Sequence, residues 1–142
     1  MQTSPTSQGD LRPEERDRLD APFVTFDVPY ELARLRAERG YHLEGHAGRT
    51  LTKYPDIRVV LVAMKPGARV AFHETAERST LHVVVGQVRV ELETGEGCDL
   101  SEGGFAAVER GRLHRIECRE ECAFLLTLAW PPRREEPEPI EL

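Results

Sequence analysis

Few residues of this chain are equipped to do chemistry. Five histidines (His42, His46, His73, His82 and His114) and three cysteines (Cys98, Cys118 and Cys122) stand among 142 residues. Imidazole can serve as a metal ligand, a proton acceptor or a hydrogen-bonding wall. Cysteine becomes reactive only where its surroundings favour the thiolate. The cysteines are odd in number and form no Cys-x-x-Cys pair, which argues against a disulfide framework and against a zinc ribbon. Reduced thiols are expected, with Cys118 as a small core residue. His42 and His46 fall in a glycine-bearing connection after a predicted helix and read as exposed loop residues. There is no Ser-His-Asp order and no nucleotide loop; Gly103-Gly104 opens a strand with no helix behind it, so it cannot cradle a phosphate.

The other histidines depend on strands for their placement. After the apolar segment Phe23 to Phe26, Asp27 and Pro29 signal a helix start, Leu32 and Leu35 share a face, and Gly40 supplies a stop; one helix is predicted over about 29–39. From Arg49 onward the pattern changes to short apolar and β-branched runs: Ile57 to Met64, Val70 to His73, Leu81 to Leu92, a piece ending at Val108, Leu113 to Cys118 and Ala123 to Trp130. Glycines punctuate them. Such a series indicates an all-β sandwich or barrel. By strand periodicity, if Ser79 points inward then Leu81, Val83 and Val85 do too, and His82 is sent to the opposite face unless a bulge intervenes. His114, Ile116 and Cys118 share a face, whereas Glu74 follows His73 and points away. Glu77, Arg78 and Thr80 read as a solvated rim.

Gly67, His73 and Gly86, followed by Gly103 (or its neighbour Gly104), Gly111 and His114, resemble in type and spacing the two consecutive motifs of the cupins. The first motif runs Gly, five residues, His-x-His, three or four residues, Glu, six residues, Gly. The second runs Gly, five residues, Pro-x-Gly, two residues, His, three residues, Asn. Sixteen residues separate Gly86 from Gly103, a short segment like that of small microbial cupins, and the resemblance covers roughly residues 57–130. It implies a single antiparallel double-stranded β-helix, the jelly-roll barrel, carrying a short N-terminal helix. Metal-binding cupins use two histidines and a glutamate of the first motif and one histidine of the second. Here His73 and His114 occupy histidine positions, but Thr75 stands in place of the second histidine, Ser79 in place of the glutamate and Cys118 in place of the asparagine. Thr75 and Ser79 are not normal strong ligands for a divalent transition metal. The resemblance therefore implies a ligand-binding interior at His73, Thr75, Ser79, His114 and Cys118 with an incomplete metal site. The expectation is a pocket without metal; the alternative is a divalent ion (zinc, iron, manganese or nickel) held by His73 and His114.

Composition bounds the rest. Nineteen Lys plus Arg against twenty-five Asp plus Glu give a net charge of −6 with interspersed signs, which disfavours non-specific nucleic-acid binding. The best apolar run, Cys122 to Trp130, is far short of the ~20 residues of a membrane helix, and the first twenty residues do not read as a signal peptide. A soluble, cytoplasmic protein is expected. Residues 1–20 are polar and read as a disordered arm, residues 21–130 as the barrel with its helix, and residues 131–142 as a Pro/Glu-rich extended tail. A homodimer is expected from the resemblance, with Phe23 to Phe26 as the candidate contact. The functional expectation is binding of a small molecule inside the barrel in a sensory or accessory role. Two alternatives stay open: a metal-dependent oxygenase or isomerase built on His73 and His114, and a non-catalytic protein-interaction module.

Overall fold

The structure, a computed structural model, describes residues 19–73 and 77–131, with side chains described outside 71–73. Helix α1 spans Val28–Arg36. Asp27 caps it by accepting from the Tyr30 N–H at 3.0 Å, with a proline in the first turn, Glu31 near its positive end and Arg34 and Arg36 near its negative end. The single helix expected over about 29–39 is in fact two. The chain leaves α1 at Ala37 and forms a second short helix, α2, over Arg39–Glu44. Gly40, read as a stop, lies inside α2; the stop is Gly45, whose left-handed φ of 83° lets its N–H bond to Tyr41 O at 2.9 Å. Burial of Tyr41 holds this extra turn against the sheet.

Among the described residues seven strands follow: β1 His46–Lys53, β2 Ile57–Met64, β3 Arg69–His73, β4 Arg78–Leu92, β5 Gly97–Ser101, β6 Phe105–Val108 and β7 His114–Ala129. All pairings are antiparallel, in the order β1-β2-β7-β4-β5, with β3 added to β7 and β6 added to β4. The two long strands carry the architecture. The end of β7 lies between β2 (Val62↔Phe124) and the start of β4 (Val83↔Phe124), and the start of β7 lies between β3 (Val70↔Ile116) and the end of β4 (Val90↔Ile116).

Between these halves the β4–β7 register slips at Val83/Val85, Val85/Gln87 and Gln87/Val88, so the strands bend together. Gly86 sits at the bend with φ 83°, and a Cβ there would lie 2.0 Å from the Glu121 carbonyl oxygen. No other residue type fits that approach. The slip also redirects one side chain. Leu81 and Val83 point inward as the alternation requires, but Val85 packs on the outer face with the helices, and Val88 and Val90 resume the inward face.

Two apolar clusters result, one on each side of the sheet. Inside the barrel lie Met64, Leu81, Val83, Val88, Val90, Ile116, Cys118, Cys122 and Phe124. Outside, Leu32, Leu35 and Tyr41 of the helices cover Leu51, Leu61, Ala63 and Ala123. Along β2 the alternation is strict: Leu61 and Ala63 face the helices while Val62 and Met64 face the interior. Burying a side chain such as Phe124 or Leu61 contributes about 1.5 to 3 kcal/mol. Leu19, read from sequence as part of a disordered arm, accepts from the Lys53 N–H at 2.8 Å, and Ala21 beside it is buried. Phe23 is exposed, whereas Phe26 packs at the edge of the outer cluster. Among the described residues no helix is long and apolar enough to cross a membrane.

Candidate ligand cavity

The sheet pairings place Ser79 near the start of β4, opposite Val108 of β6 and Leu128 of β7, and place His114 at the start of β7, opposite Leu92 of β4. Both are buried, Ser79 to 4% exposure and His114 to 6%. Between them lies a cavity of about 70 Å³. Its remaining walls are apolar: Val62 from β2, Val70 from β3, and Ile116, Phe124, Leu126 and Leu128 from β7. The even-numbered residues of β7 thus line one continuous inward face from His114 to Leu128, apart from the bend at 119–121. An imidazole and a hydroxyl stand out chemically as the two polar side chains in an otherwise apolar wall.

The His114 ring is oriented by its own chain. Its Nδ1 lies 3.3 Å from the Arg112 carbonyl oxygen, a contact that favours the proton on Nδ1 and leaves the lone pair on Nε2. His73 is the cross-strand partner of His114 in the β3–β7 register, so the two histidine positions of the motif stand directly opposite one another on adjacent strands. Thr75 lies outside the described residues. Cys118 shares the inward face of β7 but sits away from the cavity walls, in contact with the Met64 and Glu120 carbonyl oxygens at 3.4 and 3.0 Å. His82 faces outward, as the alternation requires, and packs against the Phe105 ring at 6.3 Å between centroids. His42 and His46 are exposed as expected, but they belong to α2 and the first residue of β1 and not to a loop.

A metal would need three or four donors converging on one point. Among the described residues no group of three or more His, Cys, Asp or Glu side chains does so. The donors described at the cavity are one imidazole and one hydroxyl; the side chain of His73, opposite His114, lies outside what the structure describes. What an imidazole and a serine hydroxyl can do is orient one polar group of an otherwise apolar guest through hydrogen bonds. Sequence reasoning missed the walls of the cavity, although the alternation along β7 carried that signal.

Sequence comparison finds no matching family model and no matching curated protein. Solved structures are similar in fold. A cupin superfamily protein from Desulfitobacterium hafniense aligns at a TM-score of 0.58 and 14% identity over 61% of this chain and 78% of its own. An RmlC-like cupin from Shewanella frigidimarina aligns at 0.57 and 22%, over 65% and 80%. The oxalate decarboxylase of Lactobacillus farciminis aligns at 0.56 and 27%, over 65% of this chain and 30% of the enzyme. The four glycines of the motif spacing, Gly67, Gly86, Gly103 and Gly111, all take positive φ, which settles the register on Gly103 over Gly104. Barrel topology, motif geometry and structural likeness agree that this chain has the cupin fold.

Proposed function

We propose that the protein binds a small, mainly apolar molecule inside the barrel, with Ser79 and His114 holding its single polar group, in a sensory or accessory role. The observation that carries this reading is the pairing of two buried polar side chains with six apolar ones around one cavity. Drug-sized ligands occupy about 300 to 1,000 Å³. A cavity of about 70 Å³ suits a guest of only a few heavy atoms, such as a short alcohol, aldehyde or monocarboxylic acid.

The test is a thermal-shift and calorimetric screen of such compounds against the wild type, Ser79→Ala and His114→Ala, together with elemental analysis of untagged protein. Stabilisation by one compound class that both substitutions weaken supports the reading, because a ligand of the native state raises the melting temperature. Near-stoichiometric metal that disappears in His114→Ala would replace it with metal-dependent chemistry at His73 and His114.

A further inference from the structure

The walls of the cavity differ along its length. Its two polar side chains lie toward one end: Ser79 stands opposite Leu128, and His114 is the first residue of β7. From these levels the inward residues of β7 run toward the bend, Leu128, Leu126 and Phe124 in one half of the barrel, His114 and Ile116 in the other. At roughly 3.3 Å per residue, Phe124 lies about 13 Å along the strand from Leu128, and Ile116 about 7 Å from His114. The next inward residues beyond them, Cys122 and Cys118, are at most 1% exposed and belong to the packed core with Met64 and Val88. Neither cysteine lines the cavity, so it ends at Phe124 and Ile116.

Phe124 is suited to be the closed end. It is the largest fully buried side chain of the inner cluster, at 1% exposure. Its strand is paired on both sides at that level, to Val62 and to Val83. A core packed as densely as an organic crystal does not give way to a longer guest. Val62 in this half and Val70 in the facing half close the sides. A polar group held by Ser79 and His114 therefore leaves its substituent room in one direction, along β7 toward the ring.

We propose, resting on the binding function proposed for the barrel, that Phe124 is the specificity-determining residue of the cavity. It limits the guest to a short unbranched chain whose polar group lies at Ser79 and His114 and whose apolar end meets the ring. Ile116 supports the same floor from the facing half.

The experiment titrates a homologous series of straight-chain alcohols and monocarboxylic acids into the full chain by calorimetry. In the wild type each added methylene is expected to raise the affinity about fourfold, the equivalent of about 0.8 kcal/mol, up to a short member, beyond which affinity falls. In Phe124→Leu the best member becomes a longer homologue. Because that substitution touches the core, Ile116→Val gives a second reading, with a shift in the same direction. Leu128→Ala, level with Ser79 and away from the floor, leaves the best member unchanged. An optimum that stays in place in Phe124→Leu and Ile116→Val, or moves equally in Leu128→Ala, overturns the floor; if the wild type still binds and Ser79→Ala weakens it, the binding function stands without it. Absence of binding by every member of the series to the wild type overturns both.

Discussion

At the scale of single residues, the function rests on two polar side chains and their hydrocarbon surroundings. Ser79→Ala removes one neutral hydrogen bond from the guest, so ligand affinity is expected to fall roughly fivefold, the equivalent of about 1 kcal/mol. Isothermal titration with the best ligand of the screen measures it, and an unchanged affinity would place the guest elsewhere. Tyr41 offers a second test. It is 2% exposed, and its hydroxyl donates to Glu121 Oε2 at 2.5 Å. Burial first, and then the hydrogen bond and negative charge of Glu121, push its pKa from 10.0 up to about 12, with Arg36 opposing. The folded state thus holds this proton more tightly than the unfolded chain does. The stability it contributes is complete below pH 10 and is lost as the pH rises towards about 12. The melting temperature of the wild type should therefore fall more steeply across that window than that of Tyr41→Phe; parallel curves would contradict the assignment.

At the scale of elements, the decisive feature is the shared bend of β4 and β7. It turns Val85 to the helices and returns Val88 and Val90 to the interior. Gly86 makes it possible. Gly86→Ala is expected to cost at least about 3 kcal/mol, adding the strain of a left-handed non-glycine residue to a backbone collision. Gly95→Ala, with φ 95° and nothing within 4 Å of the added methyl, should cost only about 1 to 2 kcal/mol. Urea midpoints of the two variants give the comparison, and equal losses would mean that the close approach at Glu121 is unimportant. The alternation within each half of β4 was legible in the sequence, and it correctly sent His82 outward. The bend was not, because a bulge is set by how two strands pair and leaves only a glycine as its local trace.

At the scale of the whole molecule, the sheet is buried on both sides: inward by the barrel core, outward by α1 and α2. The outer cluster is therefore part of the fold and not an accessory. Leu61→Ala, deep in that cluster at 0% exposure, is expected to cost about 2 to 5 kcal/mol by denaturant unfolding, as much as a truncation inside the barrel. A loss well under 1 kcal/mol would show the helices to be loosely docked. The helical layer was half legible: Asp27 and the Leu32/Leu35 face announced α1, but α2 was missed. Its sequence holds a glycine, and only the docking of Tyr41 onto the sheet makes that turn worth forming.

By itself the sequence determined the barrel. Backbone positions that demand positive φ are met cheaply only by glycine, and Gly67, Gly86, Gly103 and Gly111, with His73 and His114 in the same register, carry the spacing by which the chain resembles the cupins. The period-two alternation likewise put Ser79 on one face with Leu81 and Val83, and His114 on one face with Ile116 and Cys118, both of which face inward. Tertiary structure alone decided what they face. Ser79 and His114 line one cavity with apolar walls, while Cys118 sits in the core cluster with Cys122 and Met64. Those groupings arise from strand register and a shared bend, which are properties of paired chains and leave no periodicity in either strand read alone.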